Sequence, residues 1–208
     1  MKLVILAFVG FCSCLSLAAN LPAQIHVALA GSDADGNSNR LAVSWNTVNQ
    51  TRTSTVKYGT VSGQYTEVAK GSSSAYYETY NHHVVLNALA PATKYFYIVG
   101  DDTQGWSKEF FVKSAPLQDL KSFSFLIYGD HGVANGDPTK DYVISVKDEQ
   151  ELVWHAGDAS YADDSFLHKG CFTKFCYEDT YDEYMVGIEP VASQLPYMVT
   201  PGNHEAGE

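Results

Sequence analysis

The sequence predicts a mainly β sandwich followed by the first part of an α/β domain. Three observations carry that expectation. From Ile25 to about Lys113, short apolar runs alternate with Gly, Ser, Asn and Asp clusters, the spacing of a sandwich. Fourteen tyrosines and ten phenylalanines in 208 residues favour β-rich packing. From Phe123 onward the order becomes strand, helix, strand, helix, strand, as in a domain with mainly parallel strands.

The sandwich strands follow in order. IHVAL at 25–29 ends at Gly31-Ser32-Asp33. LAVSW at 41–45 alternates apolar with small or polar residues. TSTVKYG at 53–59 ends at a glycine. HHVVLNAL at 82–89, TKYFYIVGD at 93–101 and KEFFVK at 108–113 complete the series. Trp45 reads as core. Tyr95 and Tyr97, shortly after Pro91, are similar to the corner tyrosines of such sandwiches. His82 and His83 open a strand and read as surface residues. Ser114-Ala115-Pro116 reads as a linker.

Beyond the linker, FSFLIYGD at 123–130 and ELVWHAGD at 151–158 are apolar strands ending in Gly-Asp. PTKDYVISV at 138–146 starts with a proline suited to a first helical turn. Residues 177–195 read as a helix that Pro190 kinks or ends. PYMVTPGNHE at 196–205 is a third strand running into a polar loop.

Composition and charge narrow the function classes. The formal net charge of −11 argues against a nucleic-acid surface, which needs Lys and Arg to neutralise phosphates. A small phosphate substrate stays compatible, because metal ions can supply local positive charge. Lys2, the apolar run Leu3–Leu17 and the small residues Ser16 and Ala18 read as a cleaved secretory signal over residues 1–18. No other stretch is long and apolar enough to span a membrane. After cleavage Cys171 and Cys176 remain, and their spacing in an oxidising compartment favours a local disulfide over a zinc site. Asn49-Gln50-Thr51 is an N-glycosylation sequon.

The three strands of the second unit all end in ligand-capable residues: Asp130, then Asp158 and Tyr161, then Asn203, His204 and Glu205. In such sheets, sites form beyond the carboxyl ends of the strands. Parallel neighbours would bring these tips together. Two carboxylates meeting there repel unless a cation lies between them. Tyrosinate favours a ferric ion or a similarly strong Lewis acid. A two-metal centre of this kind suits phosphoryl transfer to water.

These motifs resemble those of the purple acid phosphatases, within the metallophosphoesterase superfamily. Asp130-His131-Gly132, Gly157-Asp158-Ala159-Ser160-Tyr161 and Gly202-Asn203-His204-Glu205 match its first three motifs in order. The resemblance also covers the first unit, which looks like the fibronectin type III-like domain of the larger members. It implies three segments: the signal at 1–18, that sandwich at 20–115, and an incomplete calcineurin-like metallophosphoesterase domain at 116–208. It implies a dinuclear centre of Fe(III) plus a divalent iron, zinc or manganese. Asp130, Asp158 and Tyr161 would hold the ferric ion, with Asp158 bridging and Asn203 on the divalent ion. His204 would contact the substrate phosphate and assist protonation of the leaving group. The implied protein is a secreted phosphate monoesterase with no nucleic-acid or membrane partner, in a family that is often dimeric.

The family completes its site with Val-x-x-His and Gly-His-x-His. None of the seven histidines stands in either pattern. The expectation is therefore a truncated product whose histidine ligands lie beyond Glu208. A phosphodiesterase or nucleotide pyrophosphatase on the same scaffold, or a secreted binding module without catalysis, stays open. Asp163 and Asp164 read as a solvated turn. His131 reads equally as a site-lining or an exposed residue, and His168 carries no assignment.

Overall fold

The computed structural model describes residues 20–32, 35–36, 39–116, 121–164 and 176–206. The signal sequence, His168 and Cys171 lie outside them. No helix among the described residues is long and apolar enough to cross a membrane.

The first unit has eight antiparallel strands. They are β1 (Ala23–Leu29), β2 (Leu41–Thr47), β3 (Ser54–Gly59), β4 (Glu67–Tyr76), β5 (Thr79–Leu86), β6 (Lys94–Asp101), β7 (Gly105–Trp106) and β8 (Phe110–Lys113). The order is β1-β2-β5-β4-β3-β6-β7, with β8 also on β6. β4 folds this sheet into two layers. Glu67–Gly71 pair with β3, and Ser72–Tyr76 pair with β5. At the switch, a Cβ on Gly71 would lie 2.0 Å from the His83 carbonyl oxygen, so only glycine fits. The sequence pattern did not mark β4, because its side chains are almost all exposed. Backbone pairing on both sides makes it a strand.

Alternation along the other strands sends Val27, Val43, Val84 and Leu86 inward from one layer and Val56, Tyr97, Val99 and Val112 from the other. The Tyr95 hydroxyl accepts from the Ala90 N–H at 2.9 Å, which fixes the corner. His82 departs from its surface reading. It is 1% exposed and stacks on Trp45 with centroids 5.0 Å apart. Its two nitrogens meet the Thr47 and Ser54 hydroxyls, each at 2.8 Å. Period-2 alternation admits only one of two adjacent histidines to the core, and His83 is the exposed one.

The second unit contains β9 (Phe125–Tyr128), α1 (Asp137–Val146), β10 (Leu152–Ala156), α2 (Tyr177–Ala192) and β11 (Tyr197–Thr200). The strands form a parallel sheet in the order β11-β10-β9. Pro138 occupies the first turn of α1. Helix α2 continues two residues past Pro190, since one lost backbone bond in a final turn is tolerable. Its buried residues Thr180, Tyr184, Ile188 and Val191 form one stripe. That stripe packs with Val143, Val153 and Tyr197 on one face of the sheet. The other face leaves Phe125, Ile127 and Trp154 at 45, 60 and 43% exposure.

The two units are joined by direct bonds. His26 Nε2 lies 2.6 Å from the Tyr197 carbonyl oxygen. Gln24 donates to Asp182 at 3.0 Å. The buried Tyr97 hydroxyl donates to the Ser193 carbonyl at 2.6 Å, just past the end of α2. The parallel sheet is therefore fixed against β1 and β6, with its carboxyl ends free to build a site.

Candidate metal centre

Three loops leave the carboxyl ends of β9, β10 and β11. The first two run on together as a backbone ladder. The N–H groups of Asp130, His131, Gly132 and Val133 donate to the carbonyls of Gly157, Asp158, Ala159 and Ser160 at 2.9–3.3 Å. This ladder sets Asp130 beside the Asp158 loop. Asp130, Asp158 and Tyr161 all have left-handed backbones, with φ of 52, 52 and 53°. Non-glycine residues there carry strain of about 1–3 kcal/mol each and cluster at functional sites.

Glu205 ties the third loop to the second. One carboxylate oxygen accepts from the Asp158 and Gly202 N–H groups at 2.9 and 2.8 Å, and the other accepts from Ala159 at 2.7 Å. Gly202 makes this approach possible, because a Cβ there would lie 2.2 Å from Asp158 Oδ1. Sequence reading had placed Glu205 in the motif without a role. Its function as a clamp depends on a neighbouring strand, which local pattern does not reveal.

The expected ligands gather in part. Tyr161 donates its phenol proton to Asp130 Oδ1 at 2.8 Å. Asp158 Oδ1 accepts from the His204 backbone at 3.0 Å. The Tyr161 and His204 rings lie 4.1 Å apart. Asn203 is exposed on the same loop. A cleft of about 470 Å³ opens beside Asp130 and Tyr161, bordered by His131, Asp164 and Thr180.

Asp163 is not a solvated bystander. Its carboxylate oxygens lie 2.8 and 2.9 Å from His204 Nδ1. The pairing fixes the ring and leaves Nε2 for other chemistry. Asp163, Asp164 and His204 also present ligand atoms within 4.8 Å of one another. The direct His204–Asp163 bond accounts for that cluster without an ion. His131 is buried, and its Nε2 lies 3.0 Å from the Gly136 carbonyl oxygen.

Electrostatics separate the groups. The hydrogen bond to Asp130, with some burial and the charges of Asp130, Asp158 and Asp164, pushes the Tyr161 phenol up to about 12. Burial alone would lower His204, but the Asp163 bond and the charges of Asp163, Asp158 and Asp164 overcome it and raise the imidazole. Burial, aided by His131, lowers His155 to about 4.

The donor set fits a hard cation. Asp130, Asp158 and Tyr161 offer three oxygen atoms on neighbouring tips. Asp130 and Tyr161, already in contact through the phenol hydrogen bond, would be among the residues holding that cation. A nearby cation inverts the local order of pKa values and favours tyrosinate. Cys176 is disulfide-bonded, whereas Cys171 lies outside the described residues. Asn49 is exposed, and the Asn20 side chain bonds both its backbone N–H and its carbonyl, each at 2.8 Å.

Comparisons with known proteins agree with this architecture. A model of the purple acid phosphatase N-terminal domain matches residues 22–114. The chain is 34% identical over 192 residues to purple acid phosphatase 18 of Arabidopsis thaliana, covering 89% of this chain and 38% of that protein. It is 33% identical over 195 residues to acid phosphatase type 7 of Danio rerio, covering 88% and 40%. The fold is similar to purple acid phosphatase PPD1 from yellow lupin (Lupinus luteus) seeds. That match has a TM-score of 0.69 at 24% identity, over 89% of this chain and 36% of that one. The chain thus spans about two fifths of the length of these curated relatives.

Proposed function

Because the chain belongs to the purple acid phosphatase family, we propose that it carries the Asp130, Asp158–Tyr161 and Asn203–His204 part of a secreted phosphate monoesterase site. The division into a signal at 1–18, a sandwich at 20–115 and a metallophosphoesterase part at 116–208 is included in this reading. So are the Cys171–Cys176 disulfide and glycosylation at Asn49. The observation that carries it is the convergence of Asp130, Asp158 and Tyr161 on adjacent tips, each in a left-handed backbone.

Asp130, Asp158 and Tyr161 would hold a ferric ion, with Asp158 shared and Asn203 on a divalent ion. Bound ions supply Lewis acidity toward a phosphoryl group. His204 supplies a proton. Asp163 keeps its imidazole charged in acid and turns Nε2 outward, where it can bond a phosphate oxygen or protonate a leaving alcohol. Glu205 acts through the backbone by fixing the Asp158 and Asn203 loops together.

The test is metal content, visible absorbance and hydrolysis of an aryl phosphate at acidic pH, on this chain and on a longer protein that adds the two histidine motifs. Bound iron with a visible band and monoester hydrolysis in the longer protein, weak or lost in these 208 residues alone, is the expected result. Preference for a bis-aryl phosphate would favour a phosphodiesterase. A longer protein with neither iron nor hydrolysis would overturn the enzyme reading in favour of a secreted binding module.

A further inference from the structure

We propose that His155 is a positioning residue for the Asp158 loop, held in place by a buried set of tyrosine hydroxyls. The idea deepens the function above and rests on Asp158 belonging to the metal centre. His155 lies on β10, three residues before Asp158, and is 1% exposed. Its Nδ1 lies 2.8 Å from the Tyr197 hydroxyl and 2.7 Å from the Tyr184 hydroxyl. Tyr197 in turn meets Tyr128 at 2.5 Å and Tyr184 at 3.0 Å. Four rings thus join β9, β10, β11 and α2 directly beneath the three tips.

Proton bookkeeping assigns the tautomer. Each phenol carries one proton, and burial keeps all three protonated. If Nδ1 accepts, Tyr128 donates to Tyr197, Tyr197 donates to Nδ1, and Tyr184 donates to either. Every proton then has an acceptor. If Nδ1 donates instead, the chain runs outward and the last hydroxyl proton has none. The ring proton therefore sits on Nε2. That atom is buried without a hydrogen bond, and the ring lies 6.0 Å from that of His131, whose backbone N–H bonds the Asp158 carbonyl.

The arrangement explains why Asp158 tolerates a φ of 52°. Strained backbones persist only where their surroundings over-determine them. Glu205 grips the Asp158 N–H and His131 donates to its carbonyl. His155 closes the loop from below, with its ring plane set by hydroxyls from two other elements. A core phenylalanine would fill the same volume but could not be oriented by those hydroxyls.

The test uses amide hydrogen exchange on the metal-free chain, comparing His155→Phe, His155→Gln and Tyr197→Phe. The proposal expects His155→Phe to speed exchange about tenfold or more at Asp158, Ala159 and His131, while sandwich amides such as Val84 and Val99 keep their rates. His155→Gln, whose side-chain carbonyl can accept from the same hydroxyls, should restore part of the protection. Equal acceleration along β10, β11 and the tips would show a packing role only and overturn the proposal. So would unchanged tips. If His155→Phe does not fold, Tyr197→Phe decides by the same pattern, because it removes one hydroxyl and little volume. The readout needs no metal, so a chain that never binds iron still gives an answer here.

Discussion

Glu205→Gln isolates the clamp. The carboxylate accepts from three backbone N–H groups on two loops. Glutamine keeps one carbonyl oxygen. Set where Oε2 stands, that oxygen still reaches Asp158 and Gly202, now without charge assistance. The amide group then faces the Ala159 N–H, donor against donor. A hydrogen bond to a charged group contributes about 1.5–3 kcal/mol and a neutral one about 0.5–1.5. One bond is lost outright and two are weakened. Water reaches this half-buried loop and offsets part of the loss, so the net cost is about 2 kcal/mol. Urea unfolding followed by Trp154 fluorescence measures it, because Trp154 sits on β10 while Trp45 and Trp106 belong to the sandwich. Glu149→Gln, on the exposed turn after α1, is the control. A shift below about 0.5 kcal/mol, within the range of ordinary surface changes, would refute the clamp.

Three further outcomes follow from the same structure. Asp163→Asn removes the main group that raises His204, so the histidine titration followed by NMR should move down; an unmoved midpoint would deny the pairing. Burial pushes Asp101 up, but hydrogen bonds from Thr53 and Thr103 outweigh it and hold the carboxyl well below its ordinary 3.8. Its contribution to stability is therefore fully present above that value and lost as pH falls through the lower folded one, and Asp101→Asn should flatten the acid limb of a stability–pH curve. Ile127→Lys places a charge among the exposed Phe125, Ile127 and Trp154; sedimentation should show less self-association than for the parent, since parallel sheets are normally covered on both faces.

Sequence and structure agree where the signal is periodic or chemical, and part where it depends on a distant neighbour. The sandwich strands and both helices were legible because apolar residues recur at the period of their element. The tips were legible because glycine and an acid or its amide follow each apolar run, at Gly129-Asp130, Gly157-Asp158 and Gly202-Asn203. β4 was not, since its Gly-Ser-Ser-Ser run has turn composition and its order comes from pairing with both layers. The partners of Asp163 and Glu205 are not legible for one shared reason. Each makes its bonds some forty residues along the chain, to His204 and to the Asp158 loop. His155 is the sharpest instance. In sequence it is one polar letter inside an apolar strand. In space its Nδ1 meets hydroxyls from α2 and β11, so what it does is decided by residues that the strand's own pattern cannot specify.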